Sequence, residues 1–141
     1  MGRVQKSLRI PEEIATAIQE AAEAAGRDFS AVANEFLAES VKMRRCPGIV
    51  FADRPTGRRA RLAGTGLDVW EVIATYQSLK RDRERLQAAY HWLTEPQLRA
   101  ALGYYAAYPD EIEQHIARNA AWTRERVTKQ HPTLVAGDPL S

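Results

Sequence analysis

The stretch from Arg3 to Ile10 alternates in character and runs straight into Pro11 and a helical pattern. Val4, Leu8 and Ile10 are apolar at even positions, with Lys6 the exception, and Arg3, Gln5, Ser7 and Arg9 fill the odd ones. Such alternation describes a half-buried strand. A lone strand leaves a row of backbone donors and acceptors open. It must pair either with a strand further along the chain or with a copy of itself.

The residues after this strand have helical periodicity. Pro11 suits a first helical position, and Glu12 and Glu13 suit the positive first turn. Ile14, Ile18, Ala21, Ala22 and Ala25 recur at helical spacing, and Gly26 closes the helix as glycine does past a C-terminus. Asp28 is placed to cap a second helix, whose apolar stripe is Phe29, Val32, Ala33, Phe36, Leu37 and Val41. That helix should fade near Met43, because Pro47 disfavours helix at Cys46 and Gly48 is flexible. The first domain is therefore expected over residues 1–45. One strand and two helices bury too little apolar surface to offset their conformational entropy. Pairing two copies answers both problems: the strands form an antiparallel ribbon, the helices share a core, and Gln5, Ser7 and Arg9 of each copy face outward.

The second domain is expected over residues 46–110. "IVFADRPTGRRARLAG" holds two extended runs around Pro55-Thr56-Gly57, a hairpin signal. Asp68 can cap a helix through about Leu79, with Val69, Val72, Ile73 and Tyr76 on one face. "KRDRERLQAAYHWL" reads as a second helix. Thr94 and Gln97 have capping-box spacing and open a third, with Pro96 tolerated in its first turn. Pro109 marks an end or a kink. The remaining segment, 111–141, holds most of a further helix, "DEIEQHIARNAAWTRERV", which starts at Asp110. It ends in "TKQHPTLVAGDPLS", which cannot build a core and is expected to be loosely ordered or partner-dependent. The fold class expected is mainly α.

Composition narrows the function classes. The chain of 141 residues is 45% hydrophobic and 27% charged, as in soluble globular proteins. No apolar run approaches the roughly 20 residues that span a bilayer, and the N-terminus lacks a signal-peptide core, so the cytoplasm is expected. One cysteine, Cys46, excludes an intramolecular disulfide. His91, His115 and His131 have no ligand spacing between them, and Gly64-Thr65-Gly66 falls short of a nucleotide fingerprint. The sequence therefore predicts no enzyme, no metal and no cofactor. Between Lys42 and Arg61 there are seven basic residues and one acid, Asp53, within a net charge of +2. That block suits a phosphate backbone or a solvated linker and hairpin.

"LRIPEEIATAIQEAAEAAGRDFSAVANEFL" resembles a ribbon-helix-helix domain of the MetJ/Arc/CopG type, over about residues 3–44. The resemblance implies an obligate dimer whose ribbon enters the major groove of operator DNA, with Gln5, Ser7 and Arg9 facing bases. Backbone N–H groups at Phe29, Ser30 and Ala31 would then meet a phosphate, although Asp28 brings a negative charge there. "PGIVFADRPTGRRARLAGTGLDVWEVIATYQSL" and "LTEPQLRAALGYYAAYPDEI" are similar to a small domain family found in VapB-type antitoxins. That likeness implies a helix-turn-helix-like fold with a hairpin wing, and a PIN-type ribonuclease toxin as partner.

Two roles compete for this second domain. Its third helix could be a recognition helix, with Gln97 and Arg99 outward and Arg58, Arg59 and Arg61 of the wing on phosphates. Tyr104, Tyr105 and Tyr108 instead fit core, a protein interface or base stacking. For holding a toxin the expected residues are Arg118, Trp122, Arg124, Arg126, Leu134 and Leu140. An arginine among them would neutralise an acidic metal site; a solvated helix face with a frayed tail is the competing reading. Taken together, the sequence reads as a type II antitoxin and DNA-binding autorepressor, against a stand-alone regulator with no toxin, or an adaptor that only binds proteins.

Overall fold

The computed structural model describes residues 2–130, which divide into two compact units meeting in sequence at Arg45 and Cys46. In the first unit, helix α1 spans Glu12–Ala25 and helix α2 spans Phe29–Arg45. Pro11 stands just before α1 rather than inside it, and its carbonyl accepts from the N–H groups of Ile14 and Ala15, both at 3.0 Å. Glu12 and Glu13 lie in the first turn, against the positive end of the helix dipole. Gly26 ends α1 in the left-handed region (φ 64°), a conformation that costs glycine nothing, and the Arg27 N–H then reaches back to the Ala22 carbonyl. Asp28 caps α2 as expected, its Oδ1 accepting from the Ala31 N–H at 2.7 Å. The helix runs to Arg45, two residues past Met43, with Lys42, Arg44 and Arg45 at its negative end.

Residues 3–10 carry no secondary structure in this single chain. The expected strand has no partner here; β1 and β2 of the second unit pair only with each other.

In the second unit, β1 (Ile49–Arg54) and β2 (Gly57–Leu62) form an antiparallel hairpin, with Ile49 opposite Leu62 and Arg54 opposite Gly57. Helices α3 (Val69–Ser78), α4 (Arg83–Ala89), α5 (Glu95–Ala107) and α6 (Pro109–Gln130) come next in the chain. The mainly helical class and the small hairpin agree with the sequence reading. Two local expectations fail. Asp68 precedes α3 but makes no side-chain cap, because its carboxylate is taken by the hairpin. The helix expected from Lys80 shrinks to α4, because Lys80 and Arg81 adopt left-handed φ of 58° and 59° and Asp82 caps the helix behind them. The capping box at Thr94 and Gln97 forms as the spacing predicts.

The core of this unit gathers Ile49, Ala60 and Leu62 from the hairpin with Val69, Val72, Ile73, Leu86, Leu98, Ala101 and Tyr104 from the helices. Ile112 of α6 belongs to it and Ile116 packs against it. The boundary expected at residue 110 thus falls inside this compact unit, and the first turns of α6 are structural. Leu98 is fully buried. Leu98→Ala should cost about 2–5 kcal/mol, read as a shifted urea midpoint in a transition that tracks the second unit.

Candidate nucleic-acid and protein interfaces

Among its described residues the first unit buries only Ile18, Ala22 and Val32, with Ala21, Phe29 and Ala33 packed around them. Much of the rest of its apolar surface is uncovered. Leu8 is 66% exposed and Leu37 56%, and Val4, Ile14, Phe36, Val41 and Met43 are exposed as well. A groove of about 620 Å³ runs between the N-terminal segment and the two helices, lined by Leu8, Ile10, Ile14, Ile18, Phe29, Phe36 and Leu37. Gln5, Ser7 and Arg9 are exposed on this segment, interleaved with its apolar residues. At the start of α2 the Ala31 N–H is already occupied by Asp28. Of the three backbone positions expected to meet a phosphate, Phe29, Ser30 and Ala31, the last is therefore committed within the chain, and a carboxylate stands beside the other two.

The hairpin arginines are not a row of free cations. Arg54 grips Asp68 through Nε at 3.1 Å and Nη2 at 2.9 Å, and Nη2 also donates to the Gly66 carbonyl at 2.9 Å. The Trp70 indole N–H donates to the same carboxylate at 3.2 Å, and Arg61 Nε lies 3.7 Å away. The hydrogen bond to Asp68, more than the charge attraction, raises the Arg54 pKa further above its already high value. Burial, then the neighbouring Asp68 charge, raises the Glu71 carboxyl above the usual range. Arg59 is buried, and donates to the carbonyls of Arg58 and Thr56 and to the Thr56 hydroxyl. Arg58 pairs with Asp53 at 3.2 Å near the surface. Of the three wing arginines expected on phosphates, Arg58 pairs with Asp53, Arg59 is buried and donates within the hairpin, and Arg61 lies near Asp68, while Arg54 ties the hairpin to Asp68. Arg54 and Asp68, the pair that does the tying, had no signal in the sequence beyond their charges.

The recognition-helix reading fares similarly. Gln97 Oε1 accepts from the Thr94 N–H at 2.9 Å in the capping box, and Arg99 pairs with Glu95 at 3.3 Å. Tyr104 is fully buried and donates to Glu111 at 2.6 Å, which settles it as core. Its phenol pKa is driven far upward, first by burial and then by that hydrogen bond. Tyr105 donates to Glu113, and Tyr108 packs 5.0 Å from the Tyr104 ring. The Gly64-Thr65-Gly66 stretch is a turn, in which the Thr65 hydroxyl donates to the Leu62 carbonyl at 2.8 Å and accepts from the Leu67 N–H.

From Ala117 to Gln130 every residue of α6 is exposed. Trp122 is 54% exposed, with the Arg126 guanidinium 5.2 Å from its ring centre, and Val127 is also uncovered. Arg124 lies on this exposed stretch, while Arg118 lines a cleft beside the hairpin loop. Leu134 and Leu140 lie outside the described residues. Among the described residues there is no group of three His, Cys, Asp or Glu side chains placed to hold a metal, and no helix long and apolar enough to cross a membrane. Cys46 is buried in the core. No protein-family model matches the chain, and no curated protein and no solved structure matches it.

The charge arrangement has two measurable consequences. Asp68→Ala strands two guanidiniums, and the second unit should lose about 3 kcal/mol, measurable by urea denaturation. His115 is held below its ordinary 6.5, first by burial and then by Arg59. Folded protein therefore resists a proton that the unfolded chain accepts, and stability falls as pH drops below 6.5 toward the folded value. His115→Gln should flatten that part of the curve of thermal midpoint against pH.

Proposed function

We propose that this chain is a DNA-binding protein that works as a homodimer, each copy lending one strand to a ribbon that reads base edges. The observation that carries this reading is the imbalance of the first unit: three buried core residues against an apolar groove bordered by Leu8, Ile14, Phe36 and Leu37. A second copy would cover that groove and satisfy the open backbone of residues 3–10. It would also set Gln5, Ser7 and Arg9 in a double row on the opposite face.

Within that class, the reading favoured is an antitoxin of a type II toxin–antitoxin system, acting in the cytoplasm. It represses its own operon and holds a PIN-type ribonuclease toxin, by binding and without catalysis. Support comes from the outer half of α6, where Trp122, Arg126 and Val127 form an uncovered face beyond the last core contact at Ile116. A stand-alone regulator with two DNA readers is less favoured, since Gln97 is spent on a cap.

Phe36→Asp should sediment as a monomer and lose specific binding to the DNA upstream of its gene. Arg9→Ala should keep the dimer and weaken that binding by about 1–3 kcal/mol with relaxed preference at one base position. An equal loss on random DNA would remove the base-reading role. Truncation after Asn119 spares Ile112 and Ile116. It should leave DNA binding intact and abolish inhibition of the ribonuclease encoded beside the gene.

A further inference from the structure

In the second unit a cleft of about 220 Å³ opens between the hairpin loop, the start of α3 and the middle of α6. Arg59, Arg118, His115, Trp70 and Trp122 line it. Arg59 is only 6% exposed, and every acceptor it meets is neutral: two carbonyls and the Thr56 hydroxyl. Among the described residues it forms no ion pair with a carboxylate. Burying a guanidinium without an opposite charge is unfavourable unless something else supplies that charge. Arg118 adds a second cation at the same cleft. After burial, its charge is the next cause that lowers the Arg59 pKa.

Asp68 and Glu111 attract Arg59 from a distance, yet both are engaged elsewhere. Asp68 is held by Arg54, Trp70 and Arg61, and Glu111 accepts from Tyr104. The Nδ1 atom of His115 is buried with no hydrogen-bond partner. The cleft is thus lined by two guanidiniums and the His115 imidazole, and no carboxylate lines it.

We propose that this cleft binds a nucleotide unit, its phosphate between Arg59, Arg118 and His115 and its base against Trp122. The planar guanidinium fork matches phosphate oxygens, and two such forks favour a phosphate over a single carboxylate. Trp122 offers an exposed ring beside those cations, where a base can stack. The Arg126 guanidinium lies 5.2 Å from the centre of that ring. The phosphate and base can come from a free nucleotide or from single-stranded nucleic acid, and the chemistry of the cleft is the same for both.

The test uses the full chain and monitors tryptophan fluorescence and titration heat with inorganic phosphate, adenosine monophosphate, a short oligothymidylate and an acidic hexapeptide. Adenosine monophosphate should bind about tenfold more tightly than phosphate, the lower range of one base stacked on an aromatic ring. Arg118→Ala, an exposed substitution, should weaken the nucleotide by tenfold or more. Trp122→Ala should erase the advantage of nucleotide over phosphate while leaving phosphate binding unchanged. Binding of the oligonucleotide alone, lost in Arg118→Ala, would support the proposal with a strand as the source. Failure of both nucleotide probes, binding indifferent to Arg118→Ala, or preference for the acidic peptide would overturn it.

Discussion

The carboxylate of Asp68 organises the second unit. It is 2% exposed and draws together Arg54 from the hairpin, Trp70 from α3 and, more loosely, Arg61. A two-stranded hairpin alone is marginal in water. This one persists because its inward residues Ile49, Ala60 and Leu62 join the helical core while the Asp68 cluster ties its edge to the same helices. A buried carboxylate is unfavourable until its lone pairs are filled, and here three donor atoms from two side chains fill them at 2.9–3.2 Å. The same arrangement commits Asp68 to Arg54, so Arg59 beside the cleft feels that charge only from a distance and forms no ion pair among the described residues.

The first unit obeys a different constraint. Its helices are well started and well stopped, by Glu12 and Glu13, by Gly26 and by the Asp28 cap. Good local signals do not make a core, though. Helices of this length gain most of their stability from packing an apolar face, and most of the apolar faces here remain uncovered. Exposed side chains such as Leu8, Phe36 and Leu37 are an unmet demand for apolar cover, and residues 3–10 are an unmet demand for backbone partners. The proposed symmetric partner would answer both at once, since an isologous contact presents the same patch on both sides.

Much of the local architecture was legible because short-range rules govern it. The turn at Pro55-Thr56, the box at Thr94 and Gln97, and the glycine after α1 each depend on neighbours a few residues away. The candidate sites were less legible. Arginine at 54, 58, 59 and 61 looks alike in sequence, yet one is an anchor, one a surface ion pair, one a buried cation and one a loose neighbour of Asp68. Alternation along β1 and β2 does not distinguish these fates; they depend on which side chains α3 and α6 bring across. The cleft itself joins residues from 55 to 122, a span no motif covers.

By itself the sequence determined the helical periods, the caps at Asp28 and Thr94, and the break before Cys46. All of these result from backbone hydrogen bonding and from apolar spacing within one element. Only the tertiary structure decided that Asp68 serves the hairpin instead of capping α3, that Tyr104 is core, and that α6 is rooted in the second unit before running free. Each of those outcomes is a competition for one group between a local partner and a distant one. The distant partner wins where burial removes water and makes an unfilled polar atom costly.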